Sequence, residues 1–252
     1  MTIDEVRQYL ADTESIQGWF FPIDAALFAA IDEIQSREGI RGNLFEIGVH
    51  HGKSAILLGR MLKPDEILGV CDVFDDQSQN VDHSGAGNLE IFRRNMTVDV
   101  RLFAKRSDSL TPDDTTTQCR FIHIDGGHRP VDVINDLRVT KRALLPDGIV
   151  AVDDAFNPSW PGVGEGVHRF MAEEPETFVP VIIGGNKAFF ARAEGAERYR
   201  PWLARIGDFF QSDAYAFEMK EWFGREVVIA SRLDWVELHP MDAARLYERG
   251  FR

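Results

Sequence analysis

Two acid-bearing stretches of the sequence carry residue types that hold metal ions and move protons. "FIHIDGGH" places Asp125 and His128 after an apolar run, and "IVAVDDAF" places Asp153 and Asp154 after another. If these runs are neighbouring parallel strands, their ends lie about 4.8 Å apart and the three carboxylates converge. Converging carboxylates repel one another unless one keeps its proton or a hard divalent cation binds. The oxygen-only set therefore predicts a Mg²⁺ or Mn²⁺ site on Asp125, Asp153 and Asp154, with Asn157 as a candidate further ligand.

The same acids also have a structural interpretation. Asp154 can cap a loop, and Asp125 can accept hydrogen bonds from backbone N–H groups at the end of its strand. His128 follows the turn after Asp125 and is placed to take a proton from a hydroxyl group, although a histidine in a turn often has a structural role. Asp125 and His128 are the predicted catalytic residues.

The stretch "LFEIGVHHGKS" combines an apolar run with two glycines and a lysine. Its ending, Gly52-Lys53-Ser54, matches the end of the phosphate-binding P-loop. Only three residues separate Gly48 from Gly52, however, where that signature has four. The dinucleotide signature G-x-G-x-x-G needs a glycine where His50 stands. Both spacings disfavour a phosphate cradle, and a P-loop-like NTPase or kinase remains an alternative.

A nucleoside ligand without phosphates fits the same stretch better. Gly48 and Gly52 allow a tight turn and a close approach of the ligand to the backbone. Glu46 can accept a hydrogen bond from an ammonium group, Asp72 can take both ribose hydroxyls, and Asp108 can accept from an adenine amino group. The predicted cofactor-binding residues are Glu46, Gly48, Gly52, Ser54, Asp72, Asp108 and Asp125.

The elements that must position these residues follow from the hydrophobic pattern. Short apolar runs alternate with amphipathic stretches, which predicts a doubly wound, mostly parallel α/β sheet. "FVPVIIGG" and "KAFFAR" add a hairpin, which makes seven strands with the last one antiparallel. The predicted strands of the parallel part are 44–47, 67–73, 100–104, 121–124 and 149–152. The predicted helices are 4–11, 22–36, 53–62, 89–95 and 131–145.

Composition restricts the location and the partners. The chain has 252 residues and a formal charge of −13, which disfavours a duplex nucleic-acid partner. Only Cys71 and Cys119 occur, both in apolar runs, so we expect buried thiols in a reducing compartment. The first residues lack the apolar core of a secretion signal, and no run approaches the ~18 apolar residues of a membrane span. We therefore expect a cytoplasmic protein without a membrane partner.

Several stretches of the sequence resemble the motifs of a known family. "FEIGVHHGKS" together with Asp72 is similar to the cofactor motif of class I S-adenosylmethionine-dependent methyltransferases. "FIHIDGGHRPVDVINDLRVTKRALLPDGIVAVDDAF" resembles the macrocin O-methyltransferase-like branch (methyltransferase family 24-type), as does "IQGWFF". The resemblance spans about residues 15–192. It implies a Rossmann-like fold, S-adenosylmethionine as cofactor and, in metal-dependent relatives, an ion on the aspartates at the two strand ends.

The resemblance implies transfer of a methyl group to a hydroxyl group of a small molecule of the glycosyl or natural-product type. A metal ion would lower the pKa of that hydroxyl, and His128 would take its proton. Some members of the family carry D-x-D where this chain has Gly127, so the identity of the base stays open. The loops 75–88 and 156–166 are expected to close over the site, with Trp160 as an apolar wall or a packing residue.

We expect three regions along the chain. Residues 1–40 form N-terminal helices, 41–195 the cofactor-binding core, and 196–252 an aromatic-rich extension that serves as a lid, an oligomer contact or additional core packing. Two further functions stay open: a binding module that has lost turnover, and a metal-independent N-methyltransferase in which the aspartates orient an amine.

Overall fold

The computed structural model describes residues 1–112, 114, 118–210 and 215–232. Nine strands form a single sheet: β1 (Asn43–Ile47), β2 (Leu68–Asp72), β3 (Val100–Ala104), β4 (Cys119–Ile124), β5 (Leu144–Val152), β6 (Phe178–Gly184), β7 (Lys187–Arg192), β8 (Tyr215–Trp222) and β9 (Arg225–Arg232). Eight α-helices accompany them in the described residues: α1 (Ile3–Asp12), α2 (Pro22–Arg37), α3 (Lys53–Met61), α4 (Leu89–Asn95), α5 (Pro130–Ala143), α6 (Pro161–Glu173), α7 (Ala196–Leu203) and α8 (Gly207–Phe210).

The strand order is β3-β2-β1-β4-β5-β7-β6-β9-β8. The pairs from β3 to β5 are parallel, and β7 is antiparallel to both β5 and β6. This is the predicted Rossmann-like sheet with its antiparallel last strand. The extension then adds two strands that were not predicted from the sequence. β9 pairs in parallel with the free edge of β6, and β8 pairs antiparallel with β9 and forms the new edge of the sheet.

The register brings the carboxyl ends of four strands to one level. Ile47 of β1 pairs with Cys71 of β2 and with Ile124 of β4. Ile124 in turn pairs with Val152 of β5. The acids that follow these residues therefore lie side by side at one edge, which is where open parallel sheets bind their ligands.

Alternate strand residues face opposite cores, as the two-residue period of a strand requires. Phe121 packs into the core under α2, and its neighbour Ile122 packs into the core under α5 and α6. α5 begins with Pro130, whose fixed φ suits a first helical position, and presents Val133 and Leu137 one turn apart to the sheet. Because helices cover both faces, the strands are apolar on both sides and the polar groups concentrate at their ends.

The extension contributes packing as well as strands. Tyr199, Leu203, Ile206 and Phe210, in and around α7 and α8, join the core on the α2 side. Of the predicted extension, residues 196–252, the segments 211–214 and 233–252 lie outside the described residues. Both cysteines are buried, and neither forms a disulfide within the described part of the chain. Among the described residues, no helix combines the length and the apolar character needed to cross a membrane.

Candidate active site

A cavity of about 460 Å³ opens at the carboxyl edge of the sheet. The ends of β1, β2, β4 and β5 form its floor, and residues 17–21 before α2 form one wall. Parts of the two predicted closing loops line it as well, with Asp82 from one and Trp160 from the other. The tertiary structure thus gathers the predicted site around one cavity large enough for a small ligand.

The glycine turn after β1 has little capacity left for a phosphate. The N–H groups of Val49 and His50 both donate to Asp72 Oδ2, at 2.7 and 2.9 Å. Those of Gly48 and Gly52 donate to backbone carbonyl groups. A P-loop needs such N–H groups to point together at its ligand. The turn is therefore complete without a phosphate, which disfavours the NTPase interpretation.

Gly48 is required for a reason other than ligand contact. Its φ is +81°, and a Cβ atom there would lie 1.8 Å from the carbonyl oxygen of Asp125. Gly52 has φ +91° and occupies the N-cap of α3, where a Cβ atom would meet Phe92 at 3.1 Å. Both glycines therefore allow the predicted tight turn and let the chain pack against itself, and Gly48 also lines the cavity.

The predicted cofactor residues separate into two groups. Gly48, Ser54, Asp72 and Asp125 line the cavity, whereas Glu46, Gly52 and Asp108 do not. Glu46 is fully buried and bonds His123 at 2.7 Å. Asp108 pairs with Arg106 at 2.7 Å on an exposed turn, so its position does not support the predicted contact with adenine. Arg106 and Ser107, its neighbours in the chain, reach the cavity instead.

The three predicted metal carboxylates do converge. Asp125 and Asp153 each bring an oxygen within 4.8 Å of a nitrogen of His123 and of each other. Asp125 and Asp154 form a second such group with His128. Asp125 belongs to both groups and is the centre of the cluster. Burial, together with the nearby Asp153, raises the pKa of Asp125 well above its usual range.

A buried network neutralises part of this charge from below. Lys187 is fully buried and donates to Asp153 Oδ2, and its ammonium lies 3.5 Å from Asp24 Oδ2. His123 lies between Glu46 and Asp153, with its Nε2 3.7 Å from Asp153 Oδ2. Burial alone would lower the pKa of His123, but the nearby carboxylates of Asp153 and Glu46 raise it to about 9.

His128 is held between two carboxylates. Its Nδ1 lies 3.0 Å from Asp82 Oδ2 and its Nε2 lies 3.0 Å from Asp154 Oδ2, while the Trp160 ring stacks on it at 4.3 Å between ring centroids. Burial alone would lower the pKa of His128, but bonds to Asp154 and Asp82 raise it to about 10. The ring is therefore protonated at neutral pH in this arrangement.

The family of the chain follows from comparison with known proteins. Residues 45–155 match the family model described as a methyltransferase domain. This part of the chain is a methyltransferase domain, which confirms the predicted resemblance to class I S-adenosylmethionine-dependent methyltransferases of the macrocin O-methyltransferase-like type. No curated protein matches the sequence of this methyltransferase.

Solved structures share the fold of the methyltransferase at low sequence identity. The O-methyltransferase NovP is 19% identical with a TM-score of 0.56, over 67% of this chain and 80% of NovP. The MycE methyltransferase from the mycinamycin biosynthetic pathway, in complex with Mg, SAH and mycinamycin VI, is 14% identical with a TM-score of 0.50, over 78% of this chain and 56% of MycE. The SAH-bound methyltransferase PaMTH1 from Podospora anserina is 12% identical with a TM-score of 0.50, over 75% of this chain and 85% of PaMTH1.

The acid cluster of the methyltransferase has the composition of a divalent-ion site. Pairwise contacts link six acidic side chains and three basic ones in the described residues. Acids therefore outnumber bases in this cluster. The carboxylates belong to Asp24, Glu46, Asp82, Asp125, Asp153 and Asp154, and the basic groups to His123, His128 and Lys187. The amide oxygen of Asn186 is buried without a hydrogen-bond partner in the described part of the chain, beside the Asp154 oxygen to which its Nδ2 donates. Excess negative charge and an unpaired oxygen both fit a hard cation.

Sequence reasoning missed three residues of the site. Asp82 lies in a polar loop with no periodic pattern, and Asp24 reads as an ordinary helix N-terminal acid. Lys187 offered one signal, a lysine at the start of the otherwise apolar run "KAFFAR". A lysine is rarely fully buried unless it is paired, so a lysine in a buried strand indicates an acid nearby.

Proposed function

We propose that the methyltransferase transfers the methyl group of S-adenosylmethionine to a hydroxyl group of a small glycosyl or natural-product molecule. The observation that carries this proposal is the convergence of Asp125, Asp153 and Asp154 with His128 in the same cavity as the turn after β1. NovP, an O-methyltransferase, and MycE, which was solved with Mg and mycinamycin VI, support it by analogy of fold.

The cavity keeps a polar group for the ribose of the cofactor. Asp72 Oδ1 accepts one hydrogen bond, from the N–H of Phe74 at 2.6 Å, and a carboxylate oxygen can accept two. Asp72 therefore serves both the turn and a ribose hydroxyl. Ser54 lines the same cavity at the first turn of α3, where N–H groups and the helix dipole favour a carboxylate such as that of the methionine part.

Asp125, Asp153 and Asp154 are the residues that would hold a magnesium ion, with Asn157 and Asn186 beside Asp154. Bound there, the ion would lower the pKa of an acceptor hydroxyl and fix its orientation. Asn157 Nδ2 donates to Asp154 Oδ1 at 2.7 Å, so Asn157 orients this carboxylate. Trp160, stacked on His128, closes the cavity on the acceptor side and keeps water from the ring.

His128 is the proposed base, and only its neutral ring can accept the hydroxyl proton at Nε2. Asp82 and Asp154 together favour the protonated ring. If His128 is the base, another positive charge must pair with Asp154, so that Asp154 no longer stabilises the protonated ring. Asp82 would then keep Nδ1 protonated and hold the ring in place.

Calorimetric titration tests this proposal. We expect S-adenosylmethionine to bind, ATP not to bind with or without Mg²⁺, and Mg²⁺ to bind at least about tenfold more weakly to Asp154→Asn, because one carboxylate ligand is lost. Asp147→Asn is the control, since Asp147 pairs with Arg198 away from the cavity. Magnesium-dependent binding of ATP would favour the NTPase, and absence of S-adenosylmethionine binding would contradict the proposal.

One observation favours a second function, metal-independent N-methylation. Lys187 already pairs with Asp153, and His128 already pairs with Asp154, so the acids are partly neutralised without an ion. In that function the aspartates would orient an amine acceptor. Methyl transfer to an amine that persists in excess chelator would support it, whereas loss of transfer in chelator and recovery with Mg²⁺ would support the O-methyltransferase.

A further inference from the structure

The turn between β6 and β7 contacts the acid cluster through two consecutive residues. Asn186 donates to Asp154 Oδ1 at 2.6 Å, and Lys187 donates to Asp153 Oδ2. Two neighbouring side chains of one hairpin thus hold the two neighbouring acids at the end of β5. A Cβ atom at Gly185 would lie 2.4 Å from Asp24 Oδ1, so the hairpin also packs closely against the start of α2.

Lys187 has no access to water. Its side chain is fully buried, and its ammonium lies 5.3 Å from the centroid of the Phe20 ring. Asp24 and Asp153, its two carboxylate partners, are also buried. Attraction between an ammonium and a carboxylate is strong where water is excluded, so this contact is stronger than a surface ion pair.

The Asp153 carboxylate that Lys187 contacts is also one of the proposed metal ligands. Asp153 Oδ1 accepts the N–H of Asp154 at 2.8 Å, whereas Oδ2 accepts from the Lys187 ammonium and lies 3.7 Å from His123 Nε2. An ammonium and a divalent cation close to the same carboxylate repel each other. Each therefore weakens the hold of the other on Asp153.

We propose that Lys187 is an internal counter-ion that competes with the divalent cation for Asp153 and thereby lowers the metal affinity of the site. This inference rests on the proposed function, because it assumes that the acid cluster binds an ion. Lys187 is a positioning residue in this account: it acts on the reaction only through Asp153. It keeps the cluster folded and partly neutralised when no ion is bound, and it prevents the ion from binding too tightly to exchange.

Two neutral variants of the full chain test the inference. Lys187→Met removes the charge at nearly constant length, and Lys187→Gln removes the charge but keeps a hydrogen-bond donor. At pH 8 we expect both to bind Mn²⁺ and Mg²⁺ at least about tenfold more tightly than the wild type, because the repulsion between cations is gone. The measurements are Mn²⁺ titration by electron paramagnetic resonance and calorimetry with Mg²⁺, neither of which requires an acceptor.

Lys63→Met is the matched control. Lys63 pairs with the buried Asp32 at 2.8 Å, eight residues further along α2 than Asp24, so its loss costs stability at a place outside the acid cluster. We expect its metal affinity to equal that of the wild type. If the Lys187 variants unfold in chelator, we expect saturating Mg²⁺ to restore the folded state, and failure of this rescue overturns the inference.

The outcomes separate the inference from the proposed function. Binding by the wild type, with equal or weaker binding by both Lys187 variants, overturns the inference alone. Binding by the variants only supports the inference and contradicts the metal-dependent part of the proposed function. Absence of binding in all three proteins contradicts both.

Discussion

At the scale of single residues, the charge of His128 is set by two acids from distant parts of the chain. Asp82, 46 residues away, accepts hydrogen bonds from ring Nδ1 and from the backbone N–H of His128. Asp154, 26 residues away, contacts the other ring nitrogen. The ring orientation and its protonation state are therefore properties of the Asp82–His128–Asp154 arrangement.

Asp82→Asn should lower the pKa of His128 from about 10 towards its ordinary value, because one of the two carboxylates that stabilise the imidazolium is gone. The measurement is NMR titration of the imidazole in metal-free buffer. Asp76→Asn, an exposed acid of the same loop bonded to Ser78, is the control and should leave the pKa unchanged. An unchanged His128 pKa in Asp82→Asn would contradict the role of Asp82 in stabilising the protonated ring.

Gly48→Ala should destabilise the fold by about 3 kcal/mol or more, because the added methyl group meets the Asp125 carbonyl and the positive φ adds strain. Gly39→Ala provides the comparison, since Gly39 has φ +66° but nothing within 4 Å of the added Cβ. We expect a loss of about 1 kcal/mol there. Denaturant unfolding measures both, and equal losses would mean that the close approach to Asp125 is not rigid.

At the scale of elements, α5 carries a buried acid that forms no ion pair with any basic residue in the described part of the chain. Asp136 is fully buried, and its Oδ2 has no hydrogen-bond partner in the described residues. A Cβ atom on Gly126 would lie 2.9 Å from this oxygen, so Asp136 packs directly beneath the turn that follows β4. Burial raises the pKa of Asp136 to about 7.

Asp136→Asn should change the pH dependence of stability. The carboxyl pKa is higher in the folded than in the unfolded state, so its stabilising contribution is complete below about pH 4 and is lost as the pH rises through about 7. Relative to the wild type, we expect the variant to be more stable by a few kcal/mol at pH 8, and this advantage to vanish near pH 4. Chemical denaturation across this range measures it.

Asp132→Asn on the same helix is the control of opposite sign. Asp132 is paired with Arg129 at 2.7 Å; although burial opposes it, this pairing lowers the pKa of Asp132. Its carboxylate stabilises the fold above the unfolded-state pKa, and that contribution is lost as the pH falls through the folded-state pKa. The variant should therefore lose stability at neutral pH and match the wild type in acid. A parallel response of the two variants would contradict both assignments.

At the scale of the whole molecule, the extension adds the last two strands of the sheet and contacts a loop that borders the site. Trp222, at the tip of the β8–β9 hairpin, packs against Phe156 at 5.4 Å and Phe190 at 5.5 Å between ring centroids. Phe156 lies two residues after Asp154, in the loop that leads to Trp160. The last two described strands thus support the loop that follows Asp153 and Asp154.

Trp222→Ala should cost about 2 kcal/mol of stability, since a half-buried aromatic ring loses its partners. It should also reduce the hydrogen-exchange protection of residues 155–160. Met219→Ala, at an exposed position of β8, should change stability by less than about 0.5 kcal/mol. The structural role assigned to the hairpin is wrong if the two variants behave alike.

The sequence by itself determined the seven-stranded part of the sheet and the acids at its edge. Strand and helix periods of the hydrophobic pattern place Asp72, Asp125 and Asp153 at strand ends, and parallel pairing brings such ends together whatever the details of packing. The polar partners of these acids could not be predicted from the hydrophobic pattern. Lys187 is 34 residues from Asp153 and Glu46 is 77 from His123. No local pattern encodes such pairs.

The tertiary structure alone decided three things: which N–H groups of the glycine turn are used by Asp72, which basic residues neutralise the acids, and where the extension attaches. Each depends on contacts between segments far apart in the chain, and such contacts form only once both cores have packed. Secondary structure follows from short-range steric and hydrophobic periodicity, and can therefore be inferred locally. The charge of a buried site depends on every group within a few ångströms, and only the folded chain specifies that set.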